Sequence, residues 1–140
     1  MKEGKASLLL VDDDPDLLRL LAIHLKANGY AVTAVDSGQR ALGSIAASRP
    51  ELVLTDLRMY GMDGMALFQE IQASYPGLPV IILTAHGTIP EAVAAVKRGV
   101  FGYLTKPYDA DELLAQIERA LALHRGARSE ERRVGKECRL

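Results

Sequence analysis

Five short apolar runs, each followed by a longer stretch of helical periodicity, dominate this sequence, and that alternation restricts the chain to an α/β fold built on a parallel sheet. The runs are Ser7 to Val11, Tyr30 to Val35, Glu51 to Thr55, Val80 to Leu83 and Val100 to Leu104. The third is apolar enough to be covered on both faces, as a central parallel strand is. Asp14-Pro15 supplies an N-cap with proline at the first helical position, and Leu17, Leu18, Leu21, Ala22 and Leu25 then share one helical face. Asn28-Gly29 closes that helix. Ser37 caps a second helix reaching about Ser48, and Arg49-Pro50 breaks it. The turn Gly61-Met62-Asp63-Gly64 precedes a third helix running to about Tyr75. A fourth helix runs from about Ile89 to Arg98 and stops at Gly99, and a last one starts near Asp109 to Asp111 and loses its pattern at about His124.

The pattern suits an open, doubly wound, five-stranded parallel sheet with right-handed crossovers and the flavodoxin-like strand order 2-1-3-4-5. One domain over residues 6–124 accounts for it. Seventeen Lys+Arg against eighteen Asp+Glu give a net charge of -1, which disfavours direct nucleic-acid binding through a basic surface. No apolar run approaches the roughly 18 residues of a membrane span, and the N-terminus lacks the apolar segment of a secretory signal, so a cytoplasmic protein without membrane contact is expected. The single cysteine, Cys138, excludes an internal disulfide and a cysteine-based metal site. After Arg125 aliphatic content collapses. Residues 128–139 resemble the in-frame translation of a sequencing-library adaptor, so the tail 125–140 is read as non-native, either disordered or extending the last helix.

Chemistry in such folds gathers at the carboxyl ends of the strands. Here the first strand ends in Asp12-Asp13-Asp14, the third in Asp56, the fourth in Thr84 and the fifth in Lys106. With the first and third strands adjacent, Asp12, Asp13 and Asp56 converge on one crevice, flanked by Thr84 and Lys106. Clustered carboxylates repel unless a cation is present, and an oxygen-only set without His or Cys favours a hard ion, Mg²⁺ rather than Zn²⁺. Asp13 and Asp56 are expected to bind Mg²⁺ directly, with Asp12 acting through water and the Arg58 backbone carbonyl completing the set. A metal so held offsets charge on a phosphoryl oxygen, which makes Asp56 a candidate nucleophile toward phosphorus. Lys106, the Thr84 hydroxyl and Mg²⁺ would then partner the three phosphoryl oxygens.

The pieces Leu8-Leu9-Leu10-Val11-Asp12-Asp13-Asp14, Thr55-Asp56-Leu57-Arg58-Met59, Gly61-Met62-Asp63-Gly64, Leu83-Thr84-Ala85-His86 and Tyr103-Leu104-Thr105-Lys106-Pro107 stand in one order. Together they resemble a receiver domain of two-component response regulators over about residues 6 to 124. The resemblance implies that Asp56 takes phosphate from a phosphohistidine on a sensor histidine kinase. It implies that Thr84 and Tyr103 form a switch pair, and that the Lys106-Pro107 bond is cis. The stretches Ile82 to Gly87 and Gly99 to Leu104 are similar to receivers of NtrC-type transcription activators, in which an ATPase and a helix-turn-helix domain follow. Neither output domain is encoded in this chain. One departure stands out: the family usually carries proline at the position of Tyr60, and tyrosine there lifts the φ constraint on the loop beside Asp56.

Plainer readings apply to several residues. Asp14 is a helix cap, Gly61 and Gly64 are turn glycines, and His24 and His124 are solvated helix residues. His86 and Arg58 at the rim are candidates for gating the water that attacks a phosphoryl group. Tyr103 as core aromatic and Tyr103 as switch are compatible. Lys97 and Arg98 suit the dipole of the fourth helix, and the face formed by that helix, the fifth strand and the last helix is a candidate for docking or homodimer formation. Three rival functions share parts of this pattern. An aspartyl-phosphate phosphatase would want Asp-x-Asp-x-Thr or Val, whereas Asp12-Asp13-Asp14-Pro15-Asp16 ends in Asp16. A flavin module would want a hydroxyl-rich phosphate loop in place of three aspartates. A stand-alone receiver-like interaction module would use contacts alone. A receiver is expected to do no more enzymatically than phosphorylate itself from small donors and lose the phosphate again.

Overall fold

Leu8, Leu9 and Leu10 point alternately to opposite sides of one strand, yet none is more than 1% exposed. A strand buried on both faces needs helices on both sides of its sheet. The computed structural model describes residues 6–85 and 88–123 and supplies them. Strands β1 (Ser7–Val11), β2 (Ala31–Val35), β3 (Leu52–Thr55), β4 (Val80–Thr84) and β5 (Gly102–Thr105) form one parallel sheet in the order β2-β1-β3-β4-β5. Helices α1 (Pro15–Ala27), α2 (Gly38–Ala47), α3 (Gly64–Ser74) and α4 (Ile89–Arg98) alternate with the strands, and α5 occupies 110–123 of the described residues. Among these residues no helix is long and apolar enough to cross a membrane.

Two aliphatic layers hold the sheet. On one face Leu8, Leu10, Leu52, Leu54 and Ile81 pack with Leu18, Leu21 and Leu25 of α1 and with Leu113, Ile117 and Leu121 of α5. On the other, Leu9, Val11, Val53, Val80 and Ile82 pack with Ala41 and Ile45 of α2, Leu67, Phe68 and Ile71 of α3, and Ala95 of α4. Ala95 is the only buried residue of α4, while Ile89, Val93 and Val96 on the same helix are exposed. That helix rests on the sheet by a narrow strip.

The caps act as their chemistry predicts. Asp14 accepts from the amides of Asp16 and Leu17, Ser37 from Arg40, and Asp63 from Ala66. Gly29 and Gly99 take left-handed φ values of 96° and 116° at helix ends. Five strand boundaries differ from the sequence reading, two of them in that β3 begins at Leu52 and β5 runs on to Thr105. Tyr30 donates its amide to Leu25 O, so β2 begins at Ala31. Val100 donates to Ala95 O and still belongs to the end of α4, so β5 begins at Gly102. At the other end β4 runs on through Thr84, which is paired with Thr105. His24 is half-buried, and its Nε2 has no hydrogen-bond partner among the described residues, so it is not the solvated side chain expected. His86, His124 and the tail 125–140 with Cys138 lie outside the described residues.

Register aligns the strand ends. Val11 faces Thr55, and Thr55 faces Ile82 on the other side, so the residues that follow β1 and β3 emerge side by side at one edge. The chain then folds back tightly: a Cβ on Gly64 would strike the Asp56 carbonyl oxygen, and the Gly64 amide donates to Leu57 O at 2.7 Å. Gly43, exposed in the middle of α2, has open space where a Cβ would go. Urea denaturation should therefore separate two chemically identical changes. Gly43→Ala is expected to raise stability by about 0.5–1 kcal/mol through helix propensity, and Gly64→Ala to lower it by about 1–3 kcal/mol through backbone displacement.

Candidate functional site

Asp12 and Asp56 sit one residue beyond β1 and β3, where the ladder is still being extended: Asp12 N donates to Val35 O at 3.2 Å and Asp56 N to Val11 O at 2.9 Å. Their main chains are thus fixed by the sheet. Asp13 follows Asp12 on the outer side. Carboxylate oxygens of Asp12, Asp13 and Asp56 all lie within 4.8 Å of one another, a spacing that can hold a metal ion. Asp12 is buried at 6% exposure, Asp56 is half-buried and Asp13 is exposed.

Each carboxylate accepts one main-chain amide: Asp12 from Asp14 at 2.9 Å, Asp56 from Leu57 at 2.9 Å, and Asp13 from Tyr60 at 3.2 Å. Lys106 closes the crevice from β5. Its Nζ donates to Asp12 Oδ2 at 2.9 Å and lies 3.8 Å from Asp56 Oδ1. The Lys106 amide donates to Thr84 O at 2.8 Å, and the following Lys106-Pro107 bond is cis. The Thr84 side chain hydrogen-bonds the Asp56 carboxylate. Burial raises the pKa of Asp56 above the ordinary carboxylate value, the negative charge of Asp12 raises it further, and Lys106, Thr84 and the Leu57 amide offset part of this. An added cation would favour the charged form of Asp56.

All five residues that the sequence assigns to the crevice therefore meet there. Tyr103 lies beside it, half-buried, with a hydroxyl that is buried without a hydrogen-bond partner among the described residues. Its phenol is pushed above the usual pKa by burial and then by the charge of Glu91. Tyr103 lines two clefts, one on each flank of α4, of about 390 Å³ and 400 Å³. The Arg58 side chain does not turn over Asp56. It reaches Glu91 on α4, with Nη2 2.6 Å from Oε2, while the other Glu91 oxygen accepts the Thr88 amide in a capping box. Sequence reading missed Glu91, although Thr88-Ile89-Pro90-Glu91 carries the capping-box pattern.

The response regulator receiver domain family matches residues 8–118. The chain belongs to that family. The receiver is 54% identical over 121 residues to the transcriptional regulatory protein GlrR of Escherichia coli (strain K12), covering 86% of this chain and 27% of that protein. It is 42% identical over 113 residues to the DNA-binding transcriptional regulator NtrC of Salmonella typhimurium, covering 81% of this chain and 24% of that one. Among solved structures it is similar to NtrX from Brucella abortus in complex with ADP, with a TM-score of 0.85 and 36% identity over 90% of this chain and 29% of the other. It is also similar to a response regulator receiver domain protein from Clostridium thermocellum, with a TM-score of 0.82 and 32% identity over 86% of this chain and 98% of the other. The receiver thus spans about a quarter of the length of the curated relatives it matches.

Two measurements follow from this geometry. Because the folded receiver holds the Asp56 pKa above the ordinary carboxylate value, ionising that group costs stability once the pH exceeds the unfolded value. In EDTA, Asp56→Asn should therefore be more stable than the parent at pH 7, and the gap should shrink as pH falls toward 4. For Arg58 and Glu91, whose side chains are 53% and 38% exposed, a double-mutant cycle with Arg58→Ala and Glu91→Gln should give a coupling of about 0.2–1 kcal/mol. High salt should erase it.

Proposed function

We propose that this receiver, spanning residues 6–124, accepts a phosphoryl group from the phosphohistidine of a sensor histidine kinase onto Asp56 in a Mg²⁺-dependent step. The observation that carries the reading is the trio of carboxylates within 4.8 Å, held against the Lys106 ammonium. An Asp56 carboxylate oxygen attacks phosphorus and forms a P–O bond, while the P–N bond breaks and the imidazole keeps the electron pair and takes a proton. Asp13, Asp56 and the Arg58 carbonyl would hold Mg²⁺, whose contribution is to offset charge on the phosphoryl oxygens. Asp12 has a protein donor on each oxygen, from Asp14 and Lys106, which supports a role through water rather than as a direct ligand.

Lys106 is near enough to Asp56 to exchange its Asp12 partner for a phosphoryl oxygen, and the Thr84 hydroxyl already addresses the acceptor carboxylate. Moving Thr84 toward the new phosphoryl group frees space beside Tyr103, whose unpartnered hydroxyl and flanking clefts leave room for the ring to change position. The shift is read by an output domain or partner, with transcription as the controlled process. Homodimer formation through α4, β5 and α5 is one route, supported by the exposed Ile89, Val93 and Val96. The setting is cytoplasmic. Chemistry stops at phosphoryl transfer to Asp56 and hydrolysis of the acyl phosphate, in which water takes the phosphoryl group as inorganic phosphate and the Asp56 carboxylate is restored.

Intact mass after incubation with Mg²⁺ and a small phosphoryl donor tests the proposal. The parent should gain one phosphoryl group and Asp56→Asn none, with Lys106→Ala and Thr84→Ala slowed at least about tenfold. Rapid turnover of the donor with no phosphorylated chain accumulating would point instead to an aspartyl-phosphate phosphatase. A folded parent that gains no mass would leave a module working by contacts alone.

A further inference from the structure

The loop between β3 and α3 is fastened at two places. At its base the Gly64 amide donates to Leu57 O at 2.7 Å. At its tip the Tyr60 amide donates to Asp13 Oδ2 at 3.2 Å, across 47 positions of sequence. The amides that serve Asp12 and Asp56 belong to close sequence neighbours, Asp14 and Leu57. Among the described residues, Asp13 is the one of the three whose main-chain donor comes from a distant segment. The Tyr60 ring is 94% exposed, so this residue acts on the site through its main chain and not through packing. Gly61 follows with a left-handed φ of 80°, which only glycine adopts without cost and which turns the chain at that point.

We infer that the Tyr60 amide is a positioning group for the cation site: it sets the distance between Asp13, on the end of β1, and the loop that carries the Arg58 carbonyl. The inference rests on the metal site proposed above, in which Asp13 and Arg58 are ligands from separate parts of the chain. Oxygen ligands pay for convergence in lost freedom and mutual repulsion, and a donor that holds one of them in place removes part of that cost before the ion arrives. The amide also places a partial positive charge on a carboxylate that faces two others. Proline, the residue usual here in the family this chain resembles, has no N–H and cannot make the bond. Tyrosine at this position therefore gives the site a donor that a proline-bearing loop lacks.

The test removes the N–H and leaves everything else. Replacing the residue 60 amide by an ester, through nonsense suppression with the α-hydroxy analogue of tyrosine, deletes the donor but keeps the ring. Tyr60→Ala keeps the donor but deletes the ring, and Tyr60→Pro removes the donor by ordinary expression. Mg²⁺ affinity is read by calorimetric titration, and melting in EDTA reports the fold without metal. The ester and Tyr60→Pro should each bind Mg²⁺ about three- to tenfold more weakly than the parent, with Tyr60→Ala at the parent value and melting in EDTA little changed. Parent affinity in the ester overturns the inference, as does Tyr60→Ala as weak as the ester, which would assign the effect to the ring. A parent that binds no Mg²⁺, or Asp13→Asn that binds as the parent does, overturns it differently, by removing the metal site on which it stands.

Discussion

Everything at the working edge of this receiver depends on how one ammonium shares itself among carboxylates. Lys106 lies 2.9 Å from Asp12 and 3.8 Å from Asp56, so a single cation faces two buried or half-buried acids and a third stands beside them. Such a set is short of positive charge. Breaking the Lys106–Asp12 pair would leave a carboxylate at 6% exposure without its counter-charge, which is costly. Burial, and after it the negative charge of Asp12, raise the pKa of Asp56. That deficit of positive charge is what an added cation would relieve.

The sheet makes this arrangement affordable. Parallel strands deliver their carboxyl ends to one side, and the ladder bonds at Asp12 and Asp56 hold the main chain rigid up to the acidic residues. Stability resides elsewhere, in two layers of leucine, isoleucine and valine that the acids do not enter. The charged edge can be strained because the aliphatic layers do not depend on it.

Much of this was legible in sequence because it is written in periodicity and in strand-end chemistry. The alternation of runs and helices specified the topology, and the acids, threonine and lysine at successive strand ends specified the crevice. Four things were not legible. The starts of β2 and β5 depend on whether Tyr30 and Val100 bond back to the preceding helix, and neither side chain announces that. The Arg58–Glu91 pair joins residues 33 positions apart on exposed surfaces, where many other pairings satisfy the same charges. The Tyr60 amide is main chain, and residue identity could reveal only that a donor was present, not where it would point. His24 fell to the same limit, since its place on α1 is at the margin of the buried face.

The shallow seating of α4 has a further consequence. With Ala95 as its only buried side chain and clefts on both flanks, it contributes little to the energy that holds the rest together. Among the described residues its side-chain tethers include the Arg58–Glu91 pair at one end and a long hydrogen bond from Gln72 to the Arg98 carbonyl, at 3.4 Å, at the other. A segment so attached opens on its own, at a free energy below that of global unfolding. Its amides should then exchange with solvent through private excursions of one helix, on a clock separate from that of the strands it covers.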